Sequence, residues 1–121
     1  MNEKTALDAL GALSQQTRMS AFRLLVASEP EGLPAGEIAR TLAVPQNTMS
    51  THLAALAQCG LIKGQRFSRS IIYRADLAQF RALLVYLVQN CCGGSPEVCA
   101  PLLADIASGC PPSRRKDKSR R

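Results

Sequence analysis

Residues 43 to 60 read AVPQNTMSTHLAALAQCG, and no other stretch constrains the fold as tightly. Pro45 has no backbone N–H and a fixed φ, so it suits the start of a helix and not its interior. Met49, Leu53 and Leu56 follow at i, i+4 and i+7, the spacing of a buried stripe on one helical face. The other side carries Gln46, Asn47, Ser50, Thr51 and Ala54, none of them charged. A helix face that meets only water ordinarily carries Lys and Glu. Short hydroxyls and amides near a helix N-terminus are instead suited to hydrogen bonds with base edges in a DNA major groove. Cys59-Gly60 ends the pattern.

The flanking sequence supplies a scaffold for such a helix. Thr5 with Asp8 three residues on reads as a capping box, followed by Leu7, Leu10 and Leu13 at helical spacing. Thr17 is the expected cap of a second helix with Met19, Phe22, Leu25 and Val26 on one side. The prolines and glycine of SEPEGLP interrupt it. AGEIARTL reads as a short third helix joined by AVPQ to the fourth. LIKGQRF and SIIYRA are β-rich runs around Ser68 and Arg69, the pattern of a hairpin. Asp76 opens a fifth helix expected to reach about Asn90. Its ALLVYLV run is apolar almost all round, so one face is left for a second partner. The simplest such partner is a second copy in a two-fold dimer.

Charge narrows the function. The chain has 121 residues and a net charge of +6. Residues 113–121, SRRKDKSRR, hold six basic groups and one acid, and the other 112 residues hold nine and eight. That tail has no hydrophobic residue and reads as disordered, either a weak DNA attractor or simply solvated. Within the body, residues 38–75 contain no acid but do contain Arg40, Lys63, Arg66, Arg69 and Arg74. An acid-free basic stretch suits a polyanion, or forms a solvated basic face. There is no apolar run of 18 residues and no signal-peptide layout at the N-terminus, so a cytoplasmic location with reduced thiols is expected. Paired carboxylates, a Ser/His/Asp set and a phosphate loop are all lacking, and His52 is the only histidine, so the chain does not read as an enzyme.

Four helices, a hairpin and a fifth helix make a mainly α winged helix-turn-helix. TRMSAFRLL looks like the TRLRILRLL stretch of the ArsR/SmtB family of metal-responsive repressors. IARTLAVPQNTMSTHLAALAQCGLI is similar to that family's LAxxLGLSQSTVSxHLxxLxxxGLV signature, and IIYRA to the VYYRL end of its wing. The resemblance covers roughly Ala6 to Cys92. Gln15-Gln16 stand where the family often has Asp-Pro, and Pro45 replaces the usual Ser. The resemblance implies a homodimer, paired through the first and fifth helices, whose two recognition helices enter successive major grooves of operator DNA. On this chain the implied DNA contacts are Gln46, Asn47, Thr48, Ser50 and Thr51, with Arg66 and Arg69 at the wing tip on phosphates or a minor groove. Arg40 and Lys63 add nonspecific charge. His52 matches the family's histidine, and a lone His beside an apolar stripe is expected to be a hydrogen-bonded packing residue at the edge of this set. The domain division is 1–92 for DNA binding and dimerisation, 93–112 for an inducer-binding segment and 113–121 for the basic tail.

The family binds inducers at several places, so the residues must discriminate among them. Pro34, Ala35 and Gly36 stand where its arsenic site on the third helix has Cys-Val-Cys. The fifth helix has Asp76 but no histidine, so the zinc-type ligand set is missing too. What remains is NCCGGSPEVC, with Cys91, Cys92 and Cys99. Trivalent arsenic takes three thiolates in a pyramid, and soft centres select sulfur over oxygen and imidazole. Gly93-Gly94 allow the chain to turn back, and Ser95-Pro96 starts a new short turn or helix with Cys99 just inside it. Other occupants stay open. Methylarsenite needs only two thiols, antimonite is a further candidate, zinc or cadmium would want a fourth ligand such as Cys110, and any two cysteines could form a redox or persulfide sensor. Cys59 reads as a packing residue. A winged-helix module that binds protein instead of DNA is the alternative of a different class.

Overall fold

The computed structural model describes residues 1–89 and 96–108, with side chains to 89 and from 100 onward. The chain divides after Tyr86 into two compact units. The first holds α1 (Glu3–Leu13), α2 (Gln16–Ala27), β1 (Leu33–Pro34), α3 (Ala35–Leu42), α4 (Gln46–Gln58), β2 (Ile62–Phe67), β3 (Ser70–Ala75) and most of α5 (Leu77–Val88). The second contains α6 (Pro96–Ser108). The first unit is the winged helix-turn-helix the sequence leads one to expect. α3 and α4 are the paired helices, and the β2–β3 hairpin is the wing.

Every element of the first unit is built around one core. Met49, Leu53 and Leu56, the stripe read from the sequence, have no accessible surface. They meet Leu25 of α2, Ile38 of α3 and Leu61 and Ile62 at the start of the wing. α5 docks on α2 through an edge-to-face pair, Phe22 and Phe80, with ring centroids 5.1 Å apart. The turn between α3 and α4 closes on Ala43 in a left-handed conformation, φ 57°, and the N–H of Val44 bonds back to the carbonyl of Ala39.

The caps differ from expectation. α1 is capped by Asn2, whose Oδ1 accepts from the Thr5 N–H at 2.8 Å, so Thr5 lies inside the helix. Gln15, not Thr17, caps α2 by accepting from the Arg18 N–H at 2.9 Å. In both cases an amide upstream of the expected cap reaches the orphan donor first. Asp76 caps α5 as expected, accepting from the Gln79 N–H. Two of the three leucines of α1 also face outward. Its core side is Ala6, Ala9, Ala12 and Leu13, whereas Leu7 and Leu10 are exposed.

A third strand escapes the sequence pattern. Leu33 pairs with Tyr73 and Pro34 with Ile72, giving the antiparallel order β1-β3-β2. Two residues are too few for an alternating pattern, and Pro34 is tolerated because the strand is an edge. Gly32 makes the approach possible, because at φ 76° a β-carbon there would lie 2.4 Å from the Tyr73 carbonyl oxygen. α6 runs for 13 residues, longer than the short turn or helix anticipated, and carries Pro101 inside it. Its Leu102, Leu103 and Ile106 are exposed. No helix among the described residues is long and apolar enough to cross a membrane.

Candidate nucleic-acid interface

α4 presents its uncharged face as the sequence implies. Gln46, Asn47, Thr48, Ser50, Thr51 and Ala54 are all exposed, back to back with the buried stripe. The first turn is internally organised. Asn47 Oδ1 accepts from the Thr48 N–H at 2.9 Å, which leaves the Asn47 amide NH2 as the outward donor. Thr51 Oγ1 donates to the Asn47 carbonyl oxygen at 3.4 Å. Gln46 leans toward the start of α3, where its Oε1 lies 3.6 Å from the position a β-carbon would take on Gly36.

The wing stands beside this helix. A cleft of about 260 Å³ separates them, lined by Gly36, Gln46, Ser50, Arg69 and Tyr73 among others. Arg69 and Ser68 form the tip, with Ser68 in a left-handed conformation at φ 57°. Neither Arg66 nor Arg69 has an ion-pair partner among the described residues. Both are exposed.

The other basic residues of the acid-free stretch are compensated. Arg40 pairs with Glu37, Lys63 with Asp76 at 3.7 Å and Arg74 with Glu29 at 2.7 Å. All three acids lie outside residues 38–75, so a stretch acid-free in sequence is not acid-free in space. The field of this face is therefore concentrated at the wing tip, and Arg40 and Lys63 bring less net charge to it than their count suggests.

His52 lies on the flank of α4, half-buried, where its Nδ1 accepts from Arg18 Nε at 3.1 Å. This is the hydrogen-bonded packing role expected of it. It also draws in Arg18, to which sequence reasoning assigns no role. The bond spans 34 residues, and no local pattern marks it. Cys59 is half-buried against the core and donates its thiol to the Leu56 carbonyl oxygen at 3.3 Å. Cys91, Cys92 and Cys110 lie outside the described residues, and Cys99 is placed only by its backbone, near the start of α6. Among the described residues, no three His, Cys, Asp or Glu side chains cluster as metal ligands would.

Comparison with known proteins agrees with this architecture. Residues 13–65 match a helix-turn-helix domain family. No curated protein sequence matches the chain. Among solved structures, an ArsR-like transcriptional regulator from Rhodococcus sp. RHA1 superposes with a TM-score of 0.62 at 24% identity, over 88% of this chain and 91% of that one. A homodimeric winged helix-turn-helix DNA-binding domain from Mycobacterium bovis, described as a possible ArsR-family transcriptional regulator, gives 0.56 at 24% identity, over 72% and 81%. A possible transcriptional regulator for arsenical resistance gives 0.55 at 28% identity, over 67% and 84%. The chain is thus a helix-turn-helix protein with the fold of ArsR-type transcriptional regulators.

Proposed function

We propose that this chain is a homodimeric transcriptional repressor that holds operator DNA through α4 and the wing, and leaves it when trivalent arsenic binds Cys91, Cys92 and Cys99. The observation that carries the DNA reading is the exposed, uncharged amide-and-hydroxyl face of α4 beside a wing with two arginines that have no ion-pair partner among the described residues. A protein-binding helix face would gain from large apolar anchors, and this one has none.

Dimerisation is supported by apolar surface without cover in the monomer. Leu7 and Leu10 of α1 and Leu84 and Val85 of α5 are exposed, and a second copy supplies a self-complementary cover. The Mycobacterium bovis domain of the same fold is homodimeric. Two copies then present two α4 helices to successive turns of an inverted repeat.

The inducer reading rests on the chemistry of the donor set. Three thiols fall within nine residues, no histidine lies near them in sequence, and Gly93-Gly94 sit between the second and third. Deprotonated sulfur suits a soft three-coordinate centre better than it suits magnesium or calcium. One neighbour of this fold is described as a possible regulator for arsenical resistance. The three residues follow α5, so a ligand that ties Cys99 to Cys91 and Cys92 acts at the end of an interface helix. Release needs only a coupling of about 1–3 kcal/mol between DNA-holding and ligand-holding states. Antimonite or methylarsenite would use the same thiols.

The experiment is a DNA-binding titration on a fragment of the chain's own promoter, with arsenite added to wild type and to a Cys91→Ser, Cys92→Ser variant. Release of the wild type and retention of the variant are expected. If the double variant leaves DNA as readily as wild type, the thiol site is wrong. If the wild type never binds the fragment, the repressor reading fails.

A further inference from the structure

The wing guards only one flank of the recognition helix. At about 100° per residue, Asn47, Thr51 and Ala54 define the outward direction of α4. Gln46 and Ser50, which border the wing cleft, stand roughly 90° to one side of it. His52 stands roughly 130° to the other side, and there Arg18 meets it. A helix in a major groove about 12 Å wide has a phosphate strand along each flank. On the wing side Arg66 and Arg69 are placed to meet one strand. The opposite strand needs a cation of its own.

Arg18 has the chemistry for that task. Its Nε is committed to His52 Nδ1 at 3.1 Å, which fixes the guanidinium plane and leaves both terminal nitrogens. No carboxylate lies within ion-pair distance of it among the described residues. Asp8, which lines the same recess, is taken by Lys4 at 3.1 Å. Arg18 therefore differs from Arg40, Lys63 and Arg74, whose charges are matched. A planar fork with two parallel donors fits two oxygens of a phosphodiester.

We infer that Arg18 is a DNA-backbone contact on the flank of α4 opposite the wing, where it grips a phosphodiester between its terminal nitrogens while His52 holds the fork in place. The assignment rests on the DNA-binding reading of α4. It gives His52 a role in binding that needs no contact with a base. Lysine at this position would keep the charge and lose the two-point grip.

The test is the salt dependence of binding by the full chain to a duplex carrying its operator and to an unrelated duplex. Arg18→Gln should flatten the slope of log affinity against log salt by roughly 1.8 for the dimer, about 0.9 for each phosphate no longer neutralised. It should weaken both duplexes by the same factor. Arg18→Lys should keep the wild-type slope with lower affinity. An unchanged slope for a folded Arg18→Gln variant overturns the proposal and leaves Arg18 as a link between α2 and α4. Phosphate-ethylation interference on the wild type tests the same assignment without any variant. Interference on both strands that border each major groove is expected, and interference on the wing side alone overturns it. If the wild type shows no salt-dependent DNA binding at all, the reading of α4 fails, which is a separate outcome.

Discussion

Arg74 grips Glu29 with two contacts, Nη2 to Oε1 at 2.7 Å and Nε to Oε2 at 3.3 Å, across 45 residues of sequence. The pair ties β3, and with it the wing, to the loop that follows α2. The hydrogen bond to Glu29, and then the charge of Glu29, hold the guanidinium above the ordinary arginine value. A raised value means that the pair's contribution, as far as Arg74 governs it, is complete at all pH below the usual arginine range and is lost only above it. Alkaline conditions in which the protein stays folded therefore do not release the wing. Glu29→Gln should: amide exchange in β3 should quicken while α4 stays protected. Unchanged exchange in β3 would show that the wing is held by the sheet alone.

The unequal pairing of the basic residues predicts an unequal salt response. Arg66→Ala and Arg69→Ala should each reduce the salt slope of DNA binding, by roughly 0.9 for every phosphate left without its cation in each protomer. Arg40→Ala and Lys63→Ala should change it much less, because Glu37 and Asp76 already offset those charges. Equal reductions in slope at all four positions would mean that these ion pairs open on binding.

Much of this architecture is legible in the sequence, for identifiable reasons. Met49, Leu53 and Leu56 mark α4 because a long amphipathic helix repeats its signal. Ser68 and Arg69 stand out as a turn because β-rich runs bracket them. Relationships set by single side chains or distant partners leave no such signal. Asn2 and Gln15 displace the expected caps because amides and hydroxyls compete for the same orphan N–H. β1 is too short to leave a pattern. Glu37 sits one helical turn before Arg40 in α3, whereas Glu29 and Asp76 reach Arg74 and Lys63 only through the fold. The bond from Arg18 to His52 links two helices, and only tertiary structure reveals it.

The two faces of α4 separate binding from stability. Asn47→Ala should cost about 1–3 kcal/mol of operator affinity and relax specificity at one base position, since its outward amide NH2 is a free donor. It should leave unfolding within about 0.5 kcal/mol of wild type, as exposed substitutions do. Leu53→Ala, on the opposite face, should destabilise the fold by about 2–5 kcal/mol because it empties a fully buried site. Denaturant unfolding and operator titration on the two variants measure both quantities. A stability loss at Asn47 as large as that at Leu53 would refute the division.

The exposed leucines of α1 and the apolar face of α5 predict a charge-sensitive dimer. Leu7→Glu and Val85→Glu each place a carboxylate on surface that a second copy is expected to cover. Each should shift the chain toward monomer in sedimentation while helix content is retained. Operator affinity should fall steeply, because a monomer engages one half-site and loses the gain in effective concentration from the second. Variants that remain dimeric with both glutamates present would move the interface elsewhere.

If the proposed thiol site holds the inducer, Cys99 is the residue that discriminates between arsenicals. An inorganic arsenite ion offers three positions to sulfur, whereas a methylated one keeps a carbon on the first and offers two. Cys91 and Cys92 are adjacent in sequence and, in the proposed site, would be the pair common to both ligands. Cys99 is reached only through Gly93-Gly94 and the start of α6, so its removal deletes the third sulfur and leaves the pair intact. Cys99→Ser should therefore need far more arsenite for DNA release while its response to methylarsenite stays near wild type. A serine hydroxyl is a poor substitute, because a soft centre discriminates against oxygen. Equal loss of both responses would make Cys99 part of the switch for either ligand. Full retention of the arsenite response would leave Cys91 and Cys92 as the whole site. Titration of DNA release with each arsenical, on wild type and Cys99→Ser at equal protein concentration, separates these results.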